Sequence, residues 1–230
     1  MNCLYLADLI EKANEYFLPE SECRHIKSLR ISETEIVMVT NGKGLSATGK
    51  IKIINKFETI FKPSEFIHNN GENNFKSGLA IGLLDSRDRL EFAFEKAVEL
   101  GIKDFYPLIT KFTQTNKINI DRLNLKAISA MKQSCRSVLP MVHSPVSLND
   151  LLNFDNDYER ILLADIIGSK LGKLENESPT LVVIGPEGGF SKEEIEIFNK
   201  DKRVEMIKLG DRRLRSETAA IVALGLVAYK

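Results

Sequence analysis

Residues 181–194, which read LVVIGPEGGFSKEE, combine three features that decide the fold class. The apolar run 180–184 predicts a buried strand, and the glycines around Pro186 predict a tight loop. Ser191 and Glu194 have the spacing of a capping box, which starts a helix. A strand that passes through a glycine loop into a helix is typical of parallel α/β sheets, where ligands bind beside such loops.

A second stretch, IKLGDRRLRSETAAIVAL at residues 207–224, repeats this arrangement. A strand at 204–209 is predicted to end before Gly210, and a helix is predicted from Ser216 to the end of the chain. Arg212, Arg213 and Arg215 lie in the loop between them. Such arginines are most often a solvated basic surface, but two glycine loops after neighbouring strands favour a binding pocket at one edge of the sheet.

The rest of the C-terminal part alternates in the same way, which predicts a mostly parallel sheet. Further strands are predicted at 78–84, 105–109 and 161–167, and helices at 88–100 and 123–139. Gly101 is predicted to follow the first of these helices, and Pro140 to stop the second. Pro107 favours an edge strand, or the end of one. The helix at 216–230 is apolar on almost every side, so we expect most of its faces to be buried.

Residues 1–72 have a different character and predict a small β-barrel. Short strands are predicted at 36–39, 46–54 and 59–61, with a turn at Asn41-Gly42-Lys43-Gly44. The polar stretch 69–74 reads as a connector. We therefore predict two domains, 1–72 and 73–230.

Composition and motifs exclude several classes of function. Cys3, Cys23 and Cys135 are widely spaced, so neither a disulfide framework nor a metal site is expected. No apolar run is long enough for a membrane span and no secretory signal is present, so we expect a soluble cytoplasmic protein. Formal charge is zero, so any RNA-binding surface has to be a local patch. Phe190-Ser191 stands where a phosphate-binding loop needs Gly-Lys, which disfavours a nucleotide-dependent enzyme.

The two stretches IGPEGGFSKEE and LGDRRLRSETAAIVAL resemble the signature of the ribosomal RNA uridine-N3 methyltransferase family of the SPOUT superfamily. The blocks EKAVELG at 95–101, QSCR at 133–136 and HIKSLR at 25–30 extend the resemblance to most of the chain. It implies an α/β domain with a C-terminal trefoil knot, a PUA-like N-terminal RNA-binding barrel and a homodimer. It also implies S-adenosylmethionine as cofactor, and ribosomal RNA or the small ribosomal subunit as substrate. From the apolar runs and the cysteine spacing, neither a membrane nor a metal is expected as a partner.

The resemblance also indicates site residues. The cofactor is expected at three segments: Leu163; the first glycine loop with Ile184, Gly185, Glu187, Gly188 and Gly189; and the second with Leu209, Gly210, Leu214, Arg215, Thr218 and Ala219. Because N3 of uridine carries a proton at neutral pH, the site needs a proton acceptor or a stabilising positive charge. Arg215 is the candidate for the charge, and Glu187 or Glu217 for the acceptor. Glu217 equally fits a first-turn carboxylate that interacts with the helix dipole.

Local basic residues are the candidates for RNA contact: Arg24, Lys27, Arg30, Lys43, Arg136, Arg212 and Arg213. Taken one by one, each is more simply a solubilising surface charge. Two alternatives to the interpretation of the chain as an rRNA methyltransferase stay open. One is a related enzyme that acts on another RNA, such as a transfer RNA. The other is an RNA-binding protein that keeps the fold without catalysis.

Overall fold

The structure is a computed structural model that describes residues 1–114, 117–153, 157–170 and 178–229. Its elements are, in chain order, β1 (Asn2–Tyr5), β2 (Tyr16–Phe17), α1 (Glu20–Leu29), β3 (Ile36–Thr40), β4 (Leu45–Asn55), β5 (Glu58–His68), β6 (Ser77–Gly82), α2 (Arg87–Glu99), β7 (Asp104–Ile109), α3 (Ile120–Gln133), β8 (Met141–Val142), β9 (Val146–Ser147), α4 (Leu148–Asn153), β10 (Arg160–Lys170), β11 (Thr180–Ile184), α5 (Lys192–Phe198), β12 (Val204–Lys208) and α6 (Ser216–Ala228). Lys230, to which the sequence extends the last helix, lies outside the described residues.

The chain divides into two compact units. The first contains Met1–Glu72 together with Ile128–Leu139, and the second contains Asn73–Ala127 together with Pro140–Lys230. The sequence had assigned residues 128–139 to the second domain. Their place in the first unit has a local cause, because the Glu72 carboxylate accepts hydrogen bonds from the backbone N–H groups of Ser137 and Val138 at 3.1 and 2.9 Å.

The first unit is built on a five-stranded sheet in the order β1-β3-β4-β5-β2. Strands β3, β4, β5 and β2 pair antiparallel, whereas β1 pairs parallel with β3. The predicted turn at 41–44 joins β3 to β4, and the Asn41 side chain accepts from the backbone of Lys43 and Leu45. Strands 45–55 and 58–68 are longer than the sequence indicated.

The second unit contains the predicted parallel sheet. Its order is β12-β10-β11-β6-β7-β8, with β9 also paired to β7, and every pairing is parallel. All residues of β6 and β11 are buried. Because successive side chains of a strand point to opposite faces, both faces of the sheet centre are covered.

Pro107 does not mark an edge strand, because β7 pairs with β6 on one side and with β8 and β9 on the other. Met141 and Val142 of β8 pair with the start of β7, and β9 pairs with its last two residues. Pro107 lies opposite the break between these two short strands. A residue without an N–H is tolerated there because no ladder hydrogen bond is required of it.

Helix α3 ends at Gln133, not at Leu139 as the sequence predicted. Cys135 has a left-handed φ of 54°, the Cys135 N–H donates to the Lys132 carbonyl, and the Arg136 N–H donates to the Met131 carbonyl. This pair of hydrogen bonds is a helix-ending motif, so the helix stops before Pro140 can act. Helix α1 was not predicted, because Cys23 and Ile26 are the only apolar residues that it buries.

Helix α6 is less enclosed than its composition predicted. It buries one face, with Ala220, Ala223, Leu224 and Val227, against α2, β6 and β11. Leu226 on another face is 46% exposed. Within the residues described, no helix has the length and apolar content that a membrane crossing requires.

Candidate functional site

The candidate site lies where β10, β11 and β12 end. The two glycine loops do not follow adjacent strands as the sequence suggested, because β10 lies between β11 and β12. The remaining segment expected to hold the cofactor, at Leu163, lies within β10. Both Ala164 and Ser169 pair with Ile207, so the register shifts and residues 165–168 form a bulge within β10. Leu163, just before the bulge in β10, and Ile184, the last residue of β11, both have buried side chains.

Arg89, in the first turn of α2, connects the two glycine loops. Its Nη1 donates to Glu187 Oε1 at 2.8 Å, which reaches the loop after β11. Its Nε and Nη2 donate to the two carboxylate oxygens of Glu217 at 2.9 and 2.6 Å, which reaches the start of α6. One guanidinium therefore holds together the two carboxylates that the sequence offered as proton acceptors.

This contact changes what Glu217 can do. The hydrogen bonds from Arg89 lower the pKa of the Glu217 carboxyl below its usual range, against the opposing effect of burial. A carboxylate with a lowered pKa is a weaker proton acceptor. Glu217 is 9% exposed and lies in the first turn of α6, so the structure favours the structural alternative for this residue.

The loop after β12, which contains Arg212, Arg213 and Arg215, makes one further contact with the loop after β11. Arg213 Nη2 donates to the Glu187 carbonyl at 3.4 Å. Lys208 pairs with Asp211 at 2.9 Å across the turn after β12. Arg212, Arg213 and Arg215 are all exposed, so their guanidinium groups are accessible to solvent and to a polyanion.

The backbone is open to a ligand at one glycine of each loop, Gly189 and Gly210. Gly189 has a φ of +71°, and among the described residues, chain neighbours aside, no heavy atom lies within 4 Å of the position that a Cβ would take there or at Gly210. Ligand atoms can therefore approach both backbones closely. Leu209, Leu214 and Ala219 are half-buried and supply apolar surface nearby in the chain, and Thr218 is exposed. The residues present thus fit the expected cofactor, and no described group of three or more His, Cys, Asp or Glu side chains could hold a metal ion.

Gly188 has a different reason to be glycine. A Cβ at this position would lie 2.8 Å from the Phe112 side chain, so the ring packs directly on the Gly188 backbone. Beside this contact lies a cavity of about 320 Å³. Its lining residues come from the segments after β6, β7 and β11: Asp85, Lys111, Phe112, Thr113, Gln114, Glu187 and Gly188.

The RNA-binding candidates of the first unit have two different environments. Arg24 and Lys27 are exposed on α1, with Arg24 paired to Glu20 at 2.7 Å. Arg30 is exposed directly after α1, and Lys43 is exposed in the β3–β4 turn. Arg136 is only 1% exposed and makes a salt bridge of 2.7 Å with Glu72. Burial of the Arg136 guanidinium against Glu72 disfavours the predicted RNA contact, because this pair holds residues 128–139 to the connector.

Sequence reasoning missed Arg89 and most of the cavity lining. No role was assigned from the sequence to Arg89, Asp85 or Phe112. A signal was present, since Asp85 and residues 111–114 directly follow strands of a parallel sheet.

Comparison with known proteins agrees with this arrangement. A family model described as an RNA methyltransferase domain matches residues 71–228. The ribosomal RNA small subunit methyltransferase E of Mesomycoplasma hyopneumoniae is 30% identical over 222 residues, which is 93% of this chain and 94% of the relative. The protein of the same name from Rickettsia conorii is 34% identical over 157 residues, 65% of this chain and 62% of the relative.

A solved structure of a relative has a similar fold. The crystal structure of a ribosomal RNA small subunit methyltransferase E from Neisseria gonorrhoeae bound to S-adenosyl methionine superimposes with a TM-score of 0.86. The match has 26% sequence identity and covers 98% of this chain and 95% of that one.

Proposed function

This chain belongs to the family of ribosomal RNA small subunit methyltransferases E, and we propose that it transfers a methyl group from S-adenosylmethionine to N3 of a uridine in small-subunit (16S) ribosomal RNA. It acts in the cytoplasm, where its substrate is ribosomal RNA or the assembled small subunit. The relatives are named as methyltransferases of small-subunit ribosomal RNA, and a structurally similar relative binds the methyl donor.

The observation that carries the proposal is the Arg89 contact. By pairing with Glu187 and Glu217, Arg89 fixes the loop after β11 against the start of α6. Both loops border open space beside a glycine backbone. The carboxyl ends of the strands are where a small ligand binds in parallel sheets of this class.

The cofactor supplies an activated methyl group when it is bound. The backbones of Leu163, Ile184, Gly185, Gly188, Gly189, Leu209, Gly210 and Leu214 hold the adenine and ribose, and Thr218 and Ala219 close the pocket. Arg215 is accessible and provides positive charge for the uridinate that develops as N3 loses its proton. Glu187 keeps one carboxylate oxygen towards Arg89 and borders the cavity, so its role is to position Arg89 and the loop.

RNA is held by exposed basic residues on both units. We assign Arg24, Lys27, Arg30 and Lys43 of the first unit and Arg212 and Arg213 of the second to phosphate contact, because all are exposed. The five-stranded sheet of the first unit is proposed to be the PUA-like RNA-binding barrel. A cluster of its buried side chains, including Leu4, Val37, Val39, Ile51 and Phe61, supports a closed apolar interior.

The second unit is proposed to contain a trefoil knot. Strand β12 lies outside β10, yet α6, which follows it, packs against α2, β6 and β11. The chain must therefore return past β10 after β12, which is the path that a knotted C-terminus takes.

We also propose a homodimer. Ile166 and Ile167 are each 73% exposed in the bulge of β10, and Leu226 and Tyr229 are exposed near Lys230. Large exposed apolar side chains are typical of a surface that a second subunit covers. Light scattering should give twice the mass of 25.9 kDa, and a monomer would contradict this part of the proposal.

Mass-spectrometric mapping of ribosomal RNA tests the main proposal. RNA from cells that lack the protein should lose one N3-methyluridine, and purified protein with S-adenosylmethionine should restore it. Calorimetric titration of the purified protein with S-adenosylmethionine measures cofactor binding independently of methylation. Binding without any methylation would favour a non-catalytic RNA-binding protein, and a modified transfer RNA would favour another substrate.

A further inference from the structure

We infer that the cavity beside Gly188 receives the target uracil, with Phe112 as its stacking surface and Asp85 as the acceptor of the N3 proton. The inference rests on the proposed function and deepens it, because it assigns the RNA base and the proton to named residues. Neither Asp85 nor Phe112 belongs to the segments expected to hold the cofactor.

The position of the cavity fits a base that reacts with a neighbouring cofactor. It is lined by the segments after β6, β7 and β11, which are adjacent in the order β7-β6-β11. The cofactor segments follow β10, β11 and β12, on the other side of β11. The loop 185–189 is common to both sets, so the two ligands would meet across it. The volume, about 320 Å³, lies in the range of roughly 300–1,000 Å³ that small-molecule sites occupy.

The Phe112 ring is accessible, and the turn that carries it is held in place, as a stacking surface requires. Its side chain is 46% exposed, and its ring contacts the Gly188 backbone. The turn that carries it is held by hydrogen bonds between Thr110 and Thr113 and by the Lys111 N–H, which donates to Glu194 Oε1 at 2.8 Å. Unstacked RNA bases are held by stacking on aromatic side chains, and a ring that is already fixed loses little freedom in doing so.

Asp85 differs from the two other carboxylates of this region. Glu187 and Glu217 both pair with Arg89. Across residues 1–114, 117–153, 157–170 and 178–229, no hydrogen bond or ion pair engages the exposed Asp85 carboxylate. The charged groups around it are Arg89, whose pKa its charge helps to raise, and the cavity residues Lys111 and Glu187. Asp85 is thus the carboxylate that is able to accept a proton without breaking a contact.

The lining also matches the edge of uracil that reacts. N3–H of uracil lies between two carbonyl oxygens, so a matched site presents one acceptor between two donors. Asp85 is the acceptor, and the Gln114 amide and the Lys111 ammonium, which also pairs with Glu193 at 3.1 Å, are the donors. As N3 bonds to the methyl carbon, its proton moves to the Asp85 carboxylate, and the electron pair of the broken carbon–sulfur bond stays on the sulfur of the donor. Cytosine has no N3–H, so the same carboxylate repels it.

The stacking part is tested without the cofactor. A small-subunit rRNA fragment carries a fluorescent furan-substituted uridine at the position that methylation mapping identifies, and its emission is followed on binding. Wild-type protein should change the emission, and Phe112→Ala should abolish that change while leaving overall RNA affinity within about threefold. Phe92→Ala is the matched control, since Phe92 is 47% exposed on α2 and lies outside the cavity. An unchanged signal with Phe112→Ala would overturn the stacking role.

The proton-transfer part is tested with Asp85→Asn. The rate of methylation at pH 7 should fall by about 10²–10⁴-fold, the usual contribution of a general base. Affinities for S-adenosylmethionine and RNA should remain unchanged. The rate should recover as pH rises and uridine N3 loses its proton unaided. Asp88→Asn, at an exposed carboxylate in the first turn of α2, should behave as wild type.

The outcomes separate the inference from the function on which it rests. Wild-type protein that neither binds S-adenosylmethionine nor methylates RNA would overturn the proposed function. If the wild-type protein methylates RNA and the Asp85→Asn variant does so at the same rate, the role of Asp85 is overturned and the proposed function is not.

Discussion

Arg89 and Glu217 lie 128 residues apart in the sequence and form a two-point contact, with Nε and Nη2 donating to the two carboxylate oxygens at 2.9 and 2.6 Å. The planar guanidinium matches the carboxylate in a way that a lysine ammonium does not. The contact joins the first turn of α2 to the first turn of α6. It therefore couples the integrity of the second unit to the geometry of its candidate site.

Replacing Arg89 by methionine should destabilise the protein by about 1–3 kcal/mol, because the nearly buried Glu217 carboxylate loses its donors. Urea denaturation measures the change in the free energy of unfolding. Arg87→Met is the control, since the Arg87 side chain is 64% exposed and its pair with Glu91 should contribute about 0–1 kcal/mol. Equal losses in the two variants would contradict a special role for Arg89.

The same contact predicts a pH dependence. Arg89 lowers the pKa of Glu217 in the folded state, so the stabilisation is complete above the ordinary glutamate pKa of about 4.3 and is lost as pH falls through the folded value. The difference in unfolding free energy between wild type and Arg89→Met should be full at pH 7 and shrink below about pH 4. Urea titrations across this range measure it, and a difference that does not vary with pH would refute the assignment.

Gly189→Ala should separate cofactor binding from stability. The Cβ would project into open space, but φ is +71°, so the left-handed backbone should cost about 1–2 kcal/mol. Affinity for S-adenosylmethionine, measured by calorimetry, should fall by about tenfold or more because the Cβ occupies space needed by the ligand. Gly71→Ala, at a φ of +70° in the first unit, should lose stability and keep its affinity. Unimpaired binding by Gly189→Ala would argue against this loop as the cofactor site.

Arg136→Met should destabilise the first unit strongly. It removes one partner of a pair in which the side chains of Arg136 and Glu72 are 1% and 3% exposed, and breaking such a buried pair typically costs about 3–5 kcal/mol. Thermal unfolding followed by circular dichroism measures the effect. Lys27→Met, on the exposed face of α1, provides the comparison and should leave the melting temperature almost unchanged. A stable Arg136→Met variant would show that residues 128–139 are held by other contacts.

RNA affinity should depend on salt through α1. Changing Arg24, Lys27 and Arg30 together to glutamine should reduce the slope of log affinity against log salt by about 2–3, since each phosphate contact contributes about 0.7–0.9. Fluorescence anisotropy with an rRNA fragment at several salt concentrations measures the slope. Methylation of saturating RNA should remain near wild type, because these residues lie outside the candidate cofactor site. An unchanged slope would remove α1 from the RNA-binding surface.

Local sequence patterns predicted much of the architecture. The capping box at Ser191 and Glu194 forms as expected, with the Glu194 N–H donating to the Ser191 hydroxyl and the Ser191 N–H donating to the Glu194 carboxylate. Gly101 adopts a positive φ after α2, and β11 spans the predicted residues. These features depend on neighbours within a few residues, so a short stretch of sequence contains all the information they need.

Other features escaped prediction because distant residues control them. Helix α1 has few apolar residues and is stabilised in part by the ion pair of Glu22 with Lys132, 110 residues away. Strand β10 lies between β11 and β12, and Pro107 lies opposite a break between two short strands. Both features depend on strand order, which local periodicity does not encode.

The sequence by itself determined the parallel sheet, the glycine loops at its edge and the family to which the chain is similar, because strand and helix periodicity and turn chemistry are local properties. Only the tertiary structure decided which charges meet. It paired Glu187 and Glu217 with Arg89, buried Arg136 against Glu72, and left Asp85 beside Phe112 and a cavity. The free energy of a charged group depends on its burial and its partners in space, and residues far apart in the chain supply both.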